Sequence, residues 1–405
     1  MIQMVKIAYR NLGRNRRRSF FSALGLALGL ALLLLMASFI RGEISSALDY
    51  TIRLQSGHLQ IRAPSYEESK TSLKWDDLIE DPQTLAAQVA ALPQVLDATP
   101  RLYATAILVS QNKSVGVRVF GIDPQAKANQ PYREGLVSGQ FLSPDDREGL
   151  LLGQSLAQKL GLQAGDRVNL SVNTANGDVD EQIFIVRGIF STGTNAFDNA
   201  TILLPLSKAQ AITQADNHAS VIFILLKDKR YTDNVADSLS HLPYKVLTWR
   251  TMNDIIIQTE DMANAYMVIF YLIVLAITAS VIVNTLIMAV FERMREIGIL
   301  AALGWRAKEI LLLFLAETAI LTVGGILLGL IIGLLAVTYF STHGFYIGNM
   351  GISGFLIGNM IYTELTLSDT IRLTLITFII TIIAGLYPAI LAARLEPVRA
   401  LRGAQ

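Results

Sequence analysis

Phe20 to Ile40 reads FFSALGLALGLALLLLMASFI, an unbroken run without a single charge. At about 1.5 Å per residue, a helix of this length crosses the roughly 30 Å hydrocarbon core of a bilayer. Working outward, a second uncharged run extends from Met262 to Phe291. A third, Ile310 to Phe340, is interrupted only by Glu317, and a fourth covers Leu373 to Ala393 within a span at 370–393. The expected fold is therefore an α-helical membrane protein with four transmembrane helices. Composition agrees: 52% of residues are apolar and 17% charged, against about 25% charged in ordinary soluble domains. The first run follows a basic stretch, as a signal peptide would, but its apolar core is too long and no small-x-small site follows it. It reads as a retained anchor.

The basic residues set the orientation. Lys6, Arg10, Arg14, Arg16, Arg17 and Arg18 precede the first span; Arg293, Arg295, Arg306 and Lys308 separate the second from the third; Arg394, Arg399 and Arg402 follow the fourth. The connection 341–369 has neither Lys nor Arg. By the positive-inside rule both termini face the cytoplasm, and residues 41–261, with soluble-like charge density, form an extracytoplasmic domain. Its patterning predicts mixed α and β. Strands are expected at 57–62, 95–111, 115–122, 167–172, 182–190, 201–204, 221–226 and 244–247, and helices after Pro82, before Gly161, from Pro205 and after Tyr231. A polar stretch at 123–140 reads as a subdomain boundary.

Several chemistries are excluded. Zero cysteines rule out disulfides, zinc-thiolate sites and thiol nucleophiles. His58, His218, His241 and His343 are scattered without metal-ligand spacing. Neither a G-x-S-x-G elbow nor a G-x-x-x-x-G-K-[ST] loop occurs. The chain is expected to be non-catalytic and to bind no cofactor, and nothing suggests nucleic acid as a partner. Broken spans and internal repeats among them, which a secondary transporter would need, are not evident.

Residues 291–305 read FERMREIGILAALGW. Met294, Ile297, Ala301 and Gly304 share one helical face, and Glu292–Arg295 and Arg293–Glu296 can pair on the other. Pattern alone leaves two readings open, an interfacial helix on lipid headgroups or a contact with a partner chain. The residues themselves resemble the coupling segment of the MacB/FtsX-type (type VII) ABC permease superfamily, which includes the lipoprotein-releasing permeases. Ala8-Tyr9-Arg10-Asn11-Leu12 with Arg16-Arg17-Arg18-Ser19 resembles that family's N-terminal amphipathic helix (1–19 here). Tyr387-Pro388-Ala389 with Ala392 to Arg402 resembles its tail (394–405). Gly139 to Leu142, Leu152-Gly153, Leu160-Gly161-Leu162 and Gly165 to Val168 match its outer domain.

The resemblance implies a cytoplasmic ABC ATPase dimer in separate chains, carrying ATP and magnesium, and a second permease subunit, identical or paralogous. It implies a coupling segment at 292–309 with Glu292, Arg293, Arg295, Glu296, Ile297, Gly298, Leu303 and Gly304 as its key residues. The outer domain would have a porter-like part at both ends and a sabre-like insertion at about 135–204. Lipoprotein release is the first functional choice, supported by the resemblance of Gln55 to Ile61 to that branch. A periplasmic lipoprotein carrier or adaptor and membrane lipids are the further partners. Acyl chains would then lie against Leu28, Leu32, Leu35, Met36, Phe39 and Ile40 of the first span and Tyr266 and Phe270 of the second. The alternative is mechanotransmission, for drug or peptide efflux or for control of a cell-wall hydrolase. Gly25 and Gly29, and Gly325, Gly329 and Gly333, form small-x-x-x-small faces for helix packing. Glu317 reads either as a gating contact or, preferably, as an acid near the cytoplasmic interface, protonated or paired with a nearby basic residue. The repeat Ile347-Gly348-Asn349-Met350 and Ile357-Gly358-Asn359-Met360 receives no function.

Overall fold

The structure, a computed structural model, describes residues 2–14, 16–67, 73–110, 113–346 and 360–394. The 347–359 part of the repeat and the tail motif beyond 394 lie outside these. Among the described residues thirteen α-helices follow in chain order: α1 (Ile2–Arg14), α2 (Arg16–Thr51), α3 (Pro82–Ala90), α4 (Gln130–Glu134), α5 (Gln154–Leu160), α6 (Asn195–Asp198), α7 (Leu206–Ile212), α8 (Thr232–Leu239), α9 (Trp249–Met252), α10 (Asp254–Glu292), α11 (Met294–Ala302), α12 (Ala307–His343) and α13 (Leu367–Ala393). The strands of the outer unit are β1 (Leu59–Arg62), β2 (Ile79–Glu80), β3 (Val95–Ser110), β4 (Lys113–Ile122), β5 (Leu136–Gly139), β6 (Gly149–Gly153), β7 (Arg167–Asn173), β8 (Val179–Phe190), β9 (Thr201–Pro205), β10 (His218–Ala219), β11 (Val221–Leu226) and β12 (Lys245–Thr248). The chain divides into a helical unit (1–43, 260–345 and 361–405) and an outer unit (44–259 and 346–360).

In the helical unit, α2, α10, α12 and α13 are the four helices long and apolar enough to span a membrane among the described residues. At 36, 39 and 37 residues, α2, α10 and α12 extend well beyond the length a hydrocarbon core requires. Their core joins Leu26, Leu30 and Leu34 of α2 to Leu275, Ile282 and Leu286 of α10, Leu321 and Ile326 of α12, and Leu373 of α13. Apolar surface gains nothing by leaving lipid tails for other apolar side chains, so close backbone approach and shape must supply the packing. Two faces of α2 provide it. A Cβ on Gly329 would meet the Ala27 carbonyl oxygen at 2.9 Å, one on Gly325 the Ala23 oxygen at 3.0 Å, and one on Gly333 the Ala31 Cα at 3.2 Å. On its other face, Gly25 faces Val281 and Gly29 faces Thr278 of α10. All five glycines pack helices within one subunit.

The outer unit is built on a ten-stranded sheet of order β12-β1-β11-β3-β4-β9-β6-β8-β5, with β7 bridging β3 and β8. Strand β3 joins two bodies. Its first part, Val95–Arg101, pairs with β11 and contributes to a core with Leu59, Ile61, Val89, Ile222, Ile224 and Val235. Its second part, Leu102–Ser110, pairs with β4 and β7 around a separate core including Leu108, Val119, Leu152, Leu170, Phe184 and Ile202. The two cores therefore meet along β3, between Arg101 and Leu102. The polar stretch at 123–140 carries α4, with Asn129 and Tyr132 fully buried; the two cores divide inside an uninterrupted strand, where composition does not change.

Where α2 gives way to a π-helical turn at Ile52–Ser56, the Leu54 carbonyl accepts from Arg101 Nη1 (2.9 Å) and Tyr132 Oη (2.7 Å). Arg101 is completely buried, with Nη2 on Asn129 Oδ1 at 2.7 Å and its guanidinium 3.5 Å from the Phe223 ring centroid. No carboxylate pairs with it among the described residues. Carbonyl dipoles and an aromatic face carry a buried charge here. Asn253, just before α10, donates to Ser56 Oγ at 3.2 Å, so the incoming and outgoing chain are fastened together.

Candidate coupling site

Helix α10 ends at Glu292, and Arg293 leaves helical geometry at φ −112° and ψ 14°. That break turns the arginine inward, against α12 and α1. Its Nη1 lies 3.1 Å from Glu317 Oε1, and its Nη2 donates to the Asn11 carbonyl at 2.8 Å. Asn11 Nδ2 donates to the same Glu317 oxygen at 2.7 Å. Glu317 is 2% exposed. A buried acid thus holds three elements at one point: α1, the α10–α11 break and α12. Desolvation offsets much of the pair's Coulombic gain, but removing one partner from such a pair costs about 3–5 kcal/mol because the other is left charged and dry.

Around this point lies a more exposed ring. Arg14 pairs with Glu296 at 2.5 Å and Arg18 with Glu292 at 2.9 Å; Arg18 also donates to the Thr285 carbonyl. Pairs this exposed contribute about 0–1 kcal/mol each, so they orient α11 more than they stabilise it. The pairs expected within the segment, Glu292–Arg295 and Arg293–Glu296, are replaced. The break at Arg293 destroys the helical register they require, and basic residues from α1 and α2 supply the partners. Arg295 is exposed and makes no ion pair among the described residues.

Helix α11 stops by a Schellman motif. Gly304 takes φ +94°, its N–H reaching Ala301 O and the Trp305 N–H reaching Leu300 O, both at 3.1 Å. Glu309 then accepts from the Arg306 N–H at 2.8 Å, opening α12. Ile297 and Gly298 are buried, and Ile297 packs with Val290, Ile310, Phe314, Ala389 and Ala392. Met294 and Ala301 are half-buried and Gly304 is exposed. On the outward face Arg295, Ile299 and Leu303 follow at four-residue spacing, with Leu303 75% exposed. The coupling residues named from sequence therefore divide. Arg293, Ile297 and Gly298 fasten the segment to its own chain, and Arg295 and Leu303 face away from it. Ile299 was missed, although its spacing from both marks the same face.

The acyl-lining candidates differ in exposure. Leu28, Leu32 and Tyr266 are exposed; Leu35, Met36, Phe39 and Ile40 are half-buried. Phe270 packs partly against the inter-helix core. In the outer unit, His58 Nδ1 accepts from the Leu226 N–H at 3.2 Å, and burial holds its imidazole below the ordinary pKa. No group of three or more acids and histidines could hold a metal among the described residues.

Two family models match the sequence. The model of the MacB-like periplasmic core domain covers residues 19–242, more than half of the chain, and that of the FtsX-like permease C-terminal region covers 268–397. The lipoprotein-releasing system transmembrane protein LolE of Haemophilus influenzae is 25% identical over 94% of this chain and 93% of its own length. The corresponding LolC of Neisseria meningitidis serogroup B is 24% identical over 98% of both. The macrolide export ATP-binding/permease protein MacB of Bdellovibrio bacteriovorus is 24% identical over 99% of this chain but 62% of its own length.

Proposed function

Since the chain belongs to the MacB/FtsX family of ABC transporter permeases, we propose that it converts ATP hydrolysis by a separate cytoplasmic ATPase into release of lipoproteins on the far side of the membrane. The observation that carries this reading is the outward face Arg295, Ile299 and Leu303 on a short helix whose other face is bound to α1, α10 and α12. Force applied to that face by a partner reaches the spans through the Arg293–Glu317–Asn11 point without first deforming the helix. The basic flanks orient α11 and both termini toward the cytoplasm, where ATP is available. The chain itself is a non-catalytic subunit and works beside a second permease copy or paralogue. Lipoprotein release is favoured over macrolide efflux because the lipoprotein-releasing relatives are matched over nearly all of both chains.

Reconstitution with the ATPase in vesicles holding a triacylated lipoprotein tests both parts. Gly298→Pro removes a backbone donor and clashes in the middle of α11, at about 3 kcal/mol or more. Membrane insertion and ATP hydrolysis should persist while release collapses; normal release in this variant sinks the coupling role. Photocrosslinkers replacing Leu32, Met36, Phe39 and Tyr266 should capture the acylated cargo. Failure at all four, with release intact, moves the cargo elsewhere and favours mechanotransmission.

A further inference from the structure

Four arginines crowd the corner between α1 and α2, and they are not equivalent. Arg14 and Arg18 are committed to Glu296 and Glu292. Arg16 and Arg17 are exposed and make no ion pair among the described residues; Arg16 uses only its Nε, on the Gly13 carbonyl at 3.2 Å. These two line an open cavity of about 490 Å³ together with Phe20 and Phe21. The two rings are 55% and 66% exposed and pack edge-to-face at 5.8 Å. Two guanidinium groups without an ion-pair partner among the described residues thus sit one helical turn from two exposed aromatic rings, at the point where a membrane span begins.

We propose that this cavity binds one anionic phospholipid, its phosphate held between Arg16 and Arg17 and the start of its acyl chain against Phe20 and Phe21. A guanidinium offers a planar pair of donors to phosphate oxygens. A free phosphate ion would engage the arginines alone and make no use of the phenylalanines. A lipid satisfies both ends, which decides between the two sources. The bound headgroup completes the division of the basic corner: two arginines hold the coupling segment, and two hold the membrane against which it moves.

Delipidated full-length chain in neutral detergent is titrated with phosphatidylglycerol, phosphatidylcholine and inorganic phosphate, with adducts counted by native mass spectrometry. One phosphatidylglycerol should bind in preference to phosphatidylcholine. The preference should fall roughly twenty-five-fold in Arg16→Gln/Arg17→Gln, two basic groups each contributing about fivefold at an anionic surface. Arg16→Lys/Arg17→Lys should retain most of it, and the charge-matched outer-unit pair Arg147→Gln/Arg167→Gln all of it. Phe20→Ala/Phe21→Ala should weaken phosphatidylglycerol without altering phosphate uptake. Unchanged binding in the Gln pair, or displacement of the lipid by equimolar phosphate, overturns the site. Benzoylphenylalanine at position 20 in native membranes should crosslink to lipid; a crosslink to a second copy of the chain instead overturns it independently of any charge variant.

Discussion

Glu317 receives donors from two other elements on a single oxygen, and that arrangement dictates what its loss does. Glu317→Leu strands the Arg293 guanidinium in a dry site, where an unpaired charge costs about 3–5 kcal/mol. Asn11→Ala removes one donor and leaves the ion pair, at about 1–3 kcal/mol. Arg293→Met with Glu317→Leu removes both charges, and such apolar replacements are often neutral or stabilising. Thermal unfolding should therefore rank the single Glu317 variant lowest and recover most of the loss in the double. ATP-driven release should stay impaired in both, because the double variant restores packing without the α1 link. A double variant with full release would reduce the buried pair to a stability feature. Glu317 itself was visible in the sequence as an acid inside an apolar run. Its partners lie 24 and 306 positions away, and a helical pattern carries no information at that range.

Among whole elements, the approach of α2 to α12 depends on which glycines face it, and two adjacent residues separate the effects. A Cβ on Gly325 would lie 2.6 Å from Leu26 Cδ2 and 3.0 Å from the Ala23 oxygen, whereas one on Gly324 meets nothing within 4 Å. Gly324→Ala should be neutral or stabilise by up to about 1 kcal/mol, the helix-propensity gain. Gly325→Ala gains the same propensity but forces the helices apart, by the overpacking that costs about 1–3 kcal/mol. Unfolding of the two variants in the same detergent should give shifts of opposite sign or plainly unequal size; equal shifts would mean the close contact does not form. The four-residue glycine spacing was legible because small residues on one helix face have few other uses in a membrane. The opposing surface was not, since any of three other spans could supply it. Most outer-unit strands were legible for the same local reason, with alternation and Gly turns placing them within a few residues. The limit appeared at β3, whose sixteen residues serve two cores with no break in pattern. Local sequence marks where a strand is, and only its pairing partners mark where a domain divides.

At the scale of the molecule, α2 and α10 each run from the helical unit into the outer unit, so on the proposed function they are two routes by which work would reach it. The end of α2 is fastened by Arg101. From sequence, this residue is one charge in a strand; its role depends on Leu54, Asn129, Tyr132 and Phe223 converging from three separate segments. Arg101→Met keeps similar volume and leaves the Leu54 carbonyl to Tyr132 alone. The lost charge-assisted hydrogen bonds, about 1.5–3 kcal/mol each, are offset by no longer burying a guanidinium, so net stability should change little. Rigidity at the joint should change more, because one hydroxyl bond permits rotation that a two-point guanidinium link prevents. The expected outcome is a folded outer unit with near-normal thermal unfolding, near-normal ATP hydrolysis in the assembled complex, and several-fold less lipoprotein released per ATP. Arg101→Lys should resemble Met here, since a single ammonium cannot reproduce the planar fork that spans Leu54 and Asn129. Release per ATP that matches the unaltered chain in both variants would show that motion reaches the outer unit through α10 without needing the α2 joint.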